Sequence, residues 1–216
     1  MLTFIGVGPG DPELMTLKAR RLIREADVIA LADSGAGESA VEKILGDLTW
    51  GKTILRLNMP MRGDRASWSA AHDAAARLLA ERLDAGETIA WPVLGDPLLY
   101  ATTGYVLARL WDRSDVAVVP GVPAICAAAA AARLPLAEAN EPLTILPGLK
   151  EGQRLPEGNV AVMKAAGALA EIAAQAGSRR RVMVRNLGME GDYVGPIEDA
   201  DPGARSYFTT VLVKAD

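Results

Sequence analysis

The stretch Leu2-Thr3-Phe4-Ile5-Gly6-Val7-Gly8-Pro9-Gly10-Asp11-Pro12, continuing as Glu13-Leu14-Met15-Thr16-Leu17-Lys18-Ala19, decides the fold. Thr3–Val7 is a short, uniformly apolar run, the pattern of a strand covered on both faces. It enters a glycine-rich turn spanning Gly6–Pro12. Beyond the turn, Met15, Ala19, Leu22, Ile23 and Ala26 fall on one face of a helix expected over Glu13–Ala26. Strand, tight turn and helix in that order begin a parallel α/β sheet.

The same alternation continues outward. Strands are expected at Val28–Leu31, Thr53–Leu57, Thr88–Leu94 and Val116–Val119. Helices are expected at Ser39–Leu48, with Ser39 as N-cap, at Ser67–Leu83, stopped near Gly86, and at Thr102–Trp111. After this come a small-residue helix, Ala124–Ala132, a helix at Ala168–Ala176, and strands at Leu143–Leu149, Val160–Lys164, Val182–Asn186 and Phe208–Val213. Glu151–Gly158 and Glu190–Arg205 read as polar connections. The expected class is α/β in two domains. Residues 1–114 would carry an open parallel sheet with helices on both faces, and residues 115–216 an α+β domain on a mixed sheet.

Composition removes several functions. Half of the 216 residues are hydrophobic, enough to build a sizeable core. Lys and Arg number 23 against 27 Asp and Glu, so there is no basic face for nucleic acid. One cysteine, Cys126, and one histidine, His72, leave no disulfide and no metal-ligand cluster. No apolar run approaches the roughly 20 residues of a membrane span. The beginning, Leu2–Val7, carries no basic or cleavage signal, so a cytoplasmic protein is expected. Cys126 among alanines reads as a small buried side chain, His72 as solvated, Arg179–Arg181 as a solvated turn, and the four tryptophans as dispersed.

Three loops are candidates for chemistry. Gly6-x-Gly8-Pro9-Gly10-Asp11 is not a dinucleotide fingerprint, because Asp11 stands where the third glycine belongs. Pro9 also removes an N–H that a phosphate cradle would use. The loop suits a neutral or cationic ligand. Leu94-Gly95-Asp96-Pro97-Leu98-Leu99-Tyr100 follows a strand directly, where open parallel sheets bind ligands. Its Asp96 suits a positive charge or ribose hydroxyls, and an Asp-Pro turn is the competing structural role. Val119-Pro120-Gly121-Val122-Pro123-Ala124 leads into the small-residue helix and leaves room for a flat group or for close helix packing.

Taken together and in order, GVGPGDPELMTLKA at 6–19, GDPLLYAT at 95–102 and PGVPAICAAAAAARLPLAE at 120–138 resemble the tetrapyrrole (corrin and porphyrin) methylases. Within that family the chain is most similar to the branch that methylates carbon 20 of precorrin-2. Ser39-Ala40, Met59-Pro60-Met61, Leu146-Pro147-Gly148, Val162-Met163-Lys164 and Tyr207–Val211 carry this finer likeness. The resemblance implies two α/β domains with a ligand cleft between them, a homodimer, a tetrapyrrole substrate and S-adenosyl-L-methionine as cofactor. It implies that Pro9, Leu94, Gly95, Asp96, Leu99, Pro123, Ala124, Met163, Gly188, Thr209 and Thr210 contact that cofactor.

The chain departs from the family at Pro123, where Ser or Thr is common, and at Ala101-Thr102, where Ser-Thr is frequent. Methyl transfer to a meso carbon also releases a proton, and Asp11 and Asp96 are the candidate catalytic carboxylates. A polycarboxylate substrate calls for cations. Arg62 and Arg65 are the substrate-binding candidates, with Lys18, Lys164 and Arg185 also near motif loops. The alternatives are a methylase acting at carbon 11 or 17, a uroporphyrinogen methylase, a diphthine-synthase-like enzyme, or a non-catalytic tetrapyrrole-binding protein. A nicotinamide oxidoreductase fails on the first loop.

Overall fold

In a computed structural model, which describes residues 1–35, 39–60, 63–199 and 206–215, five parallel strands form the first sheet. They are β1 (Leu2–Gly6), β2 (Val28–Asp33), β3 (Thr53–Asn58), β4 (Ile89–Val93) and β5 (Val116–Val119), in the order β3-β2-β4-β1-β5. Alternate side chains of each strand face opposite layers. Leu2, Phe4, Ile89 and Trp91 join α3 (Arg65–Asp84) and α4 (Thr103–Leu107) on one face. Ile5, Val7, Ile29 and Leu31 join α1 (Leu17–Glu25) and α2 (Ala40–Leu45) on the other. The Phe4 and Trp91 rings, both fully buried, lie 5.3 Å apart at the centre of the first layer. Each such ring contributes on the order of 2–3 kcal/mol by burial.

The helix expected over 13–26 is broken in two. Asp11 Oδ1 accepts the Glu13 N–H and caps a short 3-10 turn, Pro12–Leu14. Thr16 then takes an extended conformation and its hydroxyl accepts the Ala19 N–H at 3.1 Å, so α1 begins at Leu17. At α2, Ser39 and Glu42 form a reciprocal capping box, as the Ser39 start predicts. The helix expected over 102–111 is much shorter, Thr103–Leu107.

The expected domain boundary at 114 also moves. β5 pairs with β1 in parallel register, Leu2 with Val116 through Ile5 with Val119. The chain divides into units Met1–Val122 and Pro123–Asp216. The short strand that looked like a crossing is an edge of the first sheet.

In the second unit the order is β6-β7-β10-β8-β9, from β6 (Leu143–Leu146), β7 (Asn159–Val162), β8 (Arg180–Arg185), β9 (Tyr193–Gly195) and β10 (Thr209–Lys214). β6 and β7 are parallel and the other pairs antiparallel, giving the expected mixed sheet. α6 (Leu169–Ala176) covers the face of Val160, Val162, Met183, Val211 and Val213. α5 (Ala124–Ala132) packs against β8, β9 and β10. β9 lies inside the segment read as a polar connection; three residues are too few to show a period. Arg179, read as solvated, donates to the carbonyls of Pro156, Gly158, Gln175 and Ala176 and so fastens the end of α6. Its neighbour Arg181 pairs with Glu198. Cys126, read as buried, is exposed on α5.

The strand order places the site of the first unit. Connections from β1 and β2 run toward the β3 edge along the α1–α2 face. Those from β3 and β4 return along the α3–α4 face. β1 and β4 are neighbours whose connections leave in opposite directions, so a crevice opens beyond their carboxyl ends. There Gly6, Gly95 and Gly121 bring three backbones together. A Cβ on Gly6 would lie 2.4 Å from Gly121 N and 2.6 Å from the Gly95 oxygen, and one on Gly121 would lie 2.2 Å from the Gly95 oxygen. Gly6→Ala should therefore lower unfolding free energy by about 2–4 kcal/mol in denaturant titration. Gly104→Ala, at a helical position with nothing within 4 Å of the added carbon, should leave it unchanged or raise it by about 0.5–1 kcal/mol.

Candidate active site

The two loops that follow β1 and β4 are bound to each other. Val7 N–H donates to the Val93 carbonyl at 2.9 Å and Gly95 N–H to the Gly8 carbonyl at 2.8 Å. Gly8 and Gly95 thereby extend the pairing one bridge past the strands, with reversed sense. Both have positive φ, +82° and +69°, as the turn-back requires. Pro9 is buried within this contact.

Asp96 holds the third loop to the second. Its Oδ1 accepts the Leu98 N–H at 2.8 Å, and its Oδ2 accepts the Gly121 N–H at 3.1 Å. Both oxygens thus serve the backbone, one across 25 residues of sequence. The hydroxyl of Thr103, itself buried, donates to the Pro97 carbonyl at 2.9 Å and pins the loop to the start of α4. Between these two anchors Tyr100 sits at φ +52°, unusual for a side chain of that size. Leu98 is exposed, while Leu94 and Leu99 are half-buried. Across 6–12, 94–102 and 119–124 there are two carboxylates, Asp11 and Asp96, and no Lys or Arg.

A groove of about 610 Å³ lies on the α3–α4 side of the same unit, lined by Met59 and Pro60 after β3, by Arg65, Trp68, Ser69 and His72 of α3, and by Thr102, Tyr105 and Arg109. Thr102 belongs to the segment that follows the Asp96 loop, so groove and loop share one piece of chain. His72 stacks on Tyr105, with centroids 5.0 Å apart and planes 8° from parallel. Arg109 pairs with Asp73 and donates to the Ser69 hydroxyl at 3.1 Å and the Tyr105 carbonyl at 2.7 Å, tying α3 to α4. That guanidinium keeps the Asp73 carboxyl below its usual range. Arg65 has no ion pair among the described residues and stands at the wall of the groove.

In the second unit, Met163, Gly188, Thr209 and Thr210 lie at one end of the sheet's inner strands. Met163 follows β7 one step beyond the Val162–Val211 pair, and Thr209 opens β10 opposite Arg185. Thr209 and Thr210 are buried, and the Thr209 hydroxyl donates to the Ser206 carbonyl at 2.7 Å. Gly188 donates its N–H to Asp192 in the turn after β8. Lys164 lies over the Tyr207 ring and Arg185 over the Tyr193 ring, at 5.0 and 5.6 Å. Pro123 is the N-cap of α5 with no side-chain bond, and Ala124 its first residue.

The predicted loop residues of the first unit therefore meet at one crevice, Arg65 stands in the groove, and four from the second unit share one end of its sheet. Lys18 is exposed on α1. Arg62 lies outside the described residues. Sequence reading passed over Gly121 as a contact, Thr103 as an anchor, and the grouping of Trp68, His72, Tyr105 and Arg109. Nothing in the spacing marks these last four, because they sit on α3 and on or just after α4, joined through β4. Among the described residues no group of three or more His, Cys, Asp or Glu could hold a metal ion, and no helix is long and apolar enough to cross a membrane.

The family model of the tetrapyrrole (corrin/porphyrin) methylases matches residues 1–201. The cobalamin biosynthesis protein CobIJ of Mycobacterium tuberculosis is 32% identical over 228 residues, covering 97% of this chain and 45% of that protein. The chain thus spans about half the length of that relative. Precorrin-2 C(20)-methyltransferase of a Sinorhizobium species is 32% identical over 227 residues, covering 97% of this chain and 93% of the other. Uroporphyrin-III C-methyl transferase from Thermus thermophilus, solved in complex with S-adenyl homocysteine, superposes with a TM-score of 0.67 at 22% identity, covering 99% and 96% of the two chains. That likeness shows the fold.

The two carboxylates of the loops should separate by mutation. Asp11→Asn keeps a capping oxygen and should change unfolding free energy by no more than about 0.5 kcal/mol. Asp96→Asn places an amide against one of two backbone N–H groups and should cost about 1.5–3 kcal/mol, measured by denaturant unfolding.

Proposed function

The chain belongs to the tetrapyrrole methylase family, and on that premise we propose that it transfers a methyl group from S-adenosyl-L-methionine to carbon 20 of precorrin-2 or its cobalt form, in cobalamin biosynthesis. One observation carries the reading. The crevice at the ends of β1 and β4 has two carboxylates and no basic side chain, and the segment that leaves it lines a roomy groove carrying an open cation. A crevice of that charge suits a cationic ligand and repels phosphate. The groove suits a flat polyanion.

The residues present fit the cofactor. Leu94, Leu99 and the backbone about Gly95 offer an apolar, closely approachable surface, and Pro9 closes the first loop without an N–H. Pro123, Ala124, Met163, Gly188, Thr209 and Thr210 are the proposed contacts of the second unit, small or apolar except for the two threonines. When bound, the cofactor supplies an electrophilic methyl group on a good leaving group. The protein then has mainly to position and to exclude water.

Asp96 shapes the cofactor loop by holding Leu98 and Gly121, which makes it a positioning residue. Both Asp96 oxygens are taken by backbone N–H groups, whereas Asp11 gives one oxygen to Glu13 N–H and keeps the other open, so the released proton is assigned to Asp11. Arg65 meets a substrate carboxylate at the groove wall, and Arg62 is proposed for the same task. Aromatic Trp68 and Tyr105 offer faces to the macrocycle. The cytoplasm and a homodimer complete the proposal, on the strength of the resemblance.

Incubating the protein anaerobically with S-adenosyl-L-methionine and precorrin-2, with and without cobalt, should add one methyl to one form by mass spectrometry. No gain on either form overturns the reading. Arg65→Ala should weaken tetrapyrrole binding about 5–10-fold, in line with the ~1 kcal/mol of one partly exposed charge contact, and leave cofactor affinity unchanged. Equal tetrapyrrole affinity in variant and parent removes Arg65 from the substrate site.

A further inference from the structure

His72, the chain's single histidine, has no part in the chemistry above, yet it lines the groove. Its ring plane is fixed by the stack on Tyr105. Stacking occupies a face and leaves the edge, where both nitrogens lie. Among the described residues neither nitrogen has a hydrogen-bond partner, and no buried side-chain N or O atom lacks one. The His72 nitrogens therefore reach open space.

The groups around the ring are few. Tyr105 faces it from α4 and Arg109 from just after that helix, and Asp73 and Arg65 belong to its own helix. Met59 and Pro60, from the end of β3, bring no charge. Burial first, then the Arg109 guanidinium, lower the imidazole pKa from its ordinary 6.5, while Asp73 opposes them. Without a ligand these effects favour the neutral ring. A polycarboxylate in the groove reverses the balance, because its negative charge favours the imidazolium.

We propose that His72 is a substrate-binding residue that takes up a proton from solvent as a tetrapyrrole polycarboxylate enters the groove, its imidazolium N–H donating to one substrate carboxylate. The inference rests on the tetrapyrrole reading of the groove and adds to it a proton-linked contact. No covalent bond changes; one proton passes from buffer to the ring. The ring's pKa is higher in the complex than in the free protein. Binding therefore takes up protons between those two values, and affinity rises as pH falls through that interval.

The test is calorimetric titration with sirohydrochlorin, the stable oxidised form of precorrin-2, in two buffers of different ionisation heat near pH 6.5. The parent should take up roughly half a proton per complex more than His72→Phe, which keeps the ring stack but cannot titrate. Between pH 8 and pH 6 the parent's affinity should rise about 3–10-fold more than that of His72→Phe. His72→Gln, which keeps a donor but cannot titrate, should likewise lack the extra uptake. Equal proton uptake in parent and His72→Phe, with both binding, overturns the role of His72 and leaves the tetrapyrrole reading standing. Failure of sirohydrochlorin to bind the parent at any pH overturns the tetrapyrrole reading of the groove, and this inference with it.

Discussion

Three backbones meet where β1, β4 and β5 end, and the absence of a Cβ at Gly6 and at Gly121 allows it. A side chain on Gly6 or Gly121 would run into the backbone of Gly95. The Asp96 carboxylate holds the contact by bonding Gly121 across the junction. The loop geometry of the first unit follows from this. Gly8 and Gly95 can extend the sheet by one bridge only because the strands arrive so close. The turn beyond Asp96 is then carried to α4 and fixed by Thr103. A crevice with apolar walls and two carboxylates is what remains at the surface.

The first unit separates its charges. Acidic groups stand in the loops of the crevice, and two arginines, Arg65 on α3 and Arg109 just after α4, stand along the groove. One of the groove's two arginines is already engaged, since Arg109 serves Asp73, Ser69 and Tyr105. Arg65 is the cation left open among the described residues there, and His72 becomes a second one only when something negative arrives. Such a groove stays nearly neutral when empty and gains charge with its ligand. That limits non-specific attraction of small anions.

Much of this was legible in the sequence. Uniform apolar runs marked the buried parallel strands, and the Gly-Pro-Gly-Asp and Gly-Asp-Pro turns marked the loops that matter. Local signals failed where a hydroxyl or carboxylate competes with the helix, as Thr16 does by starting α1 late. They failed again at β5, whose pairing with β1 joins residues more than a hundred apart and moves the domain boundary past 114. The groove was not legible at all. Trp68 and His72 lie on one helix and Tyr105 and Arg109 on or just after another, and only the return of the chain through β4 sets them side by side. Arg179 looked like one of three solvated charges because its partners are backbone carbonyls, which carry no sequence signature.

The first half of α3 has one further consequence. From Arg65 to Ala74 none of its side chains is buried, whereas Ala75, Ala76, Leu79 and Leu83 anchor the second half to the sheet. The exposed half is tied down chiefly by the Arg109 guanidinium and the His72–Tyr105 stack. One helix therefore contains two segments of unequal local stability, and amide hydrogen exchange would run far faster before Ala75 than after it. The wall of the groove thus rests on the less firmly anchored half of α3, while the sheet-facing half belongs to the buried core.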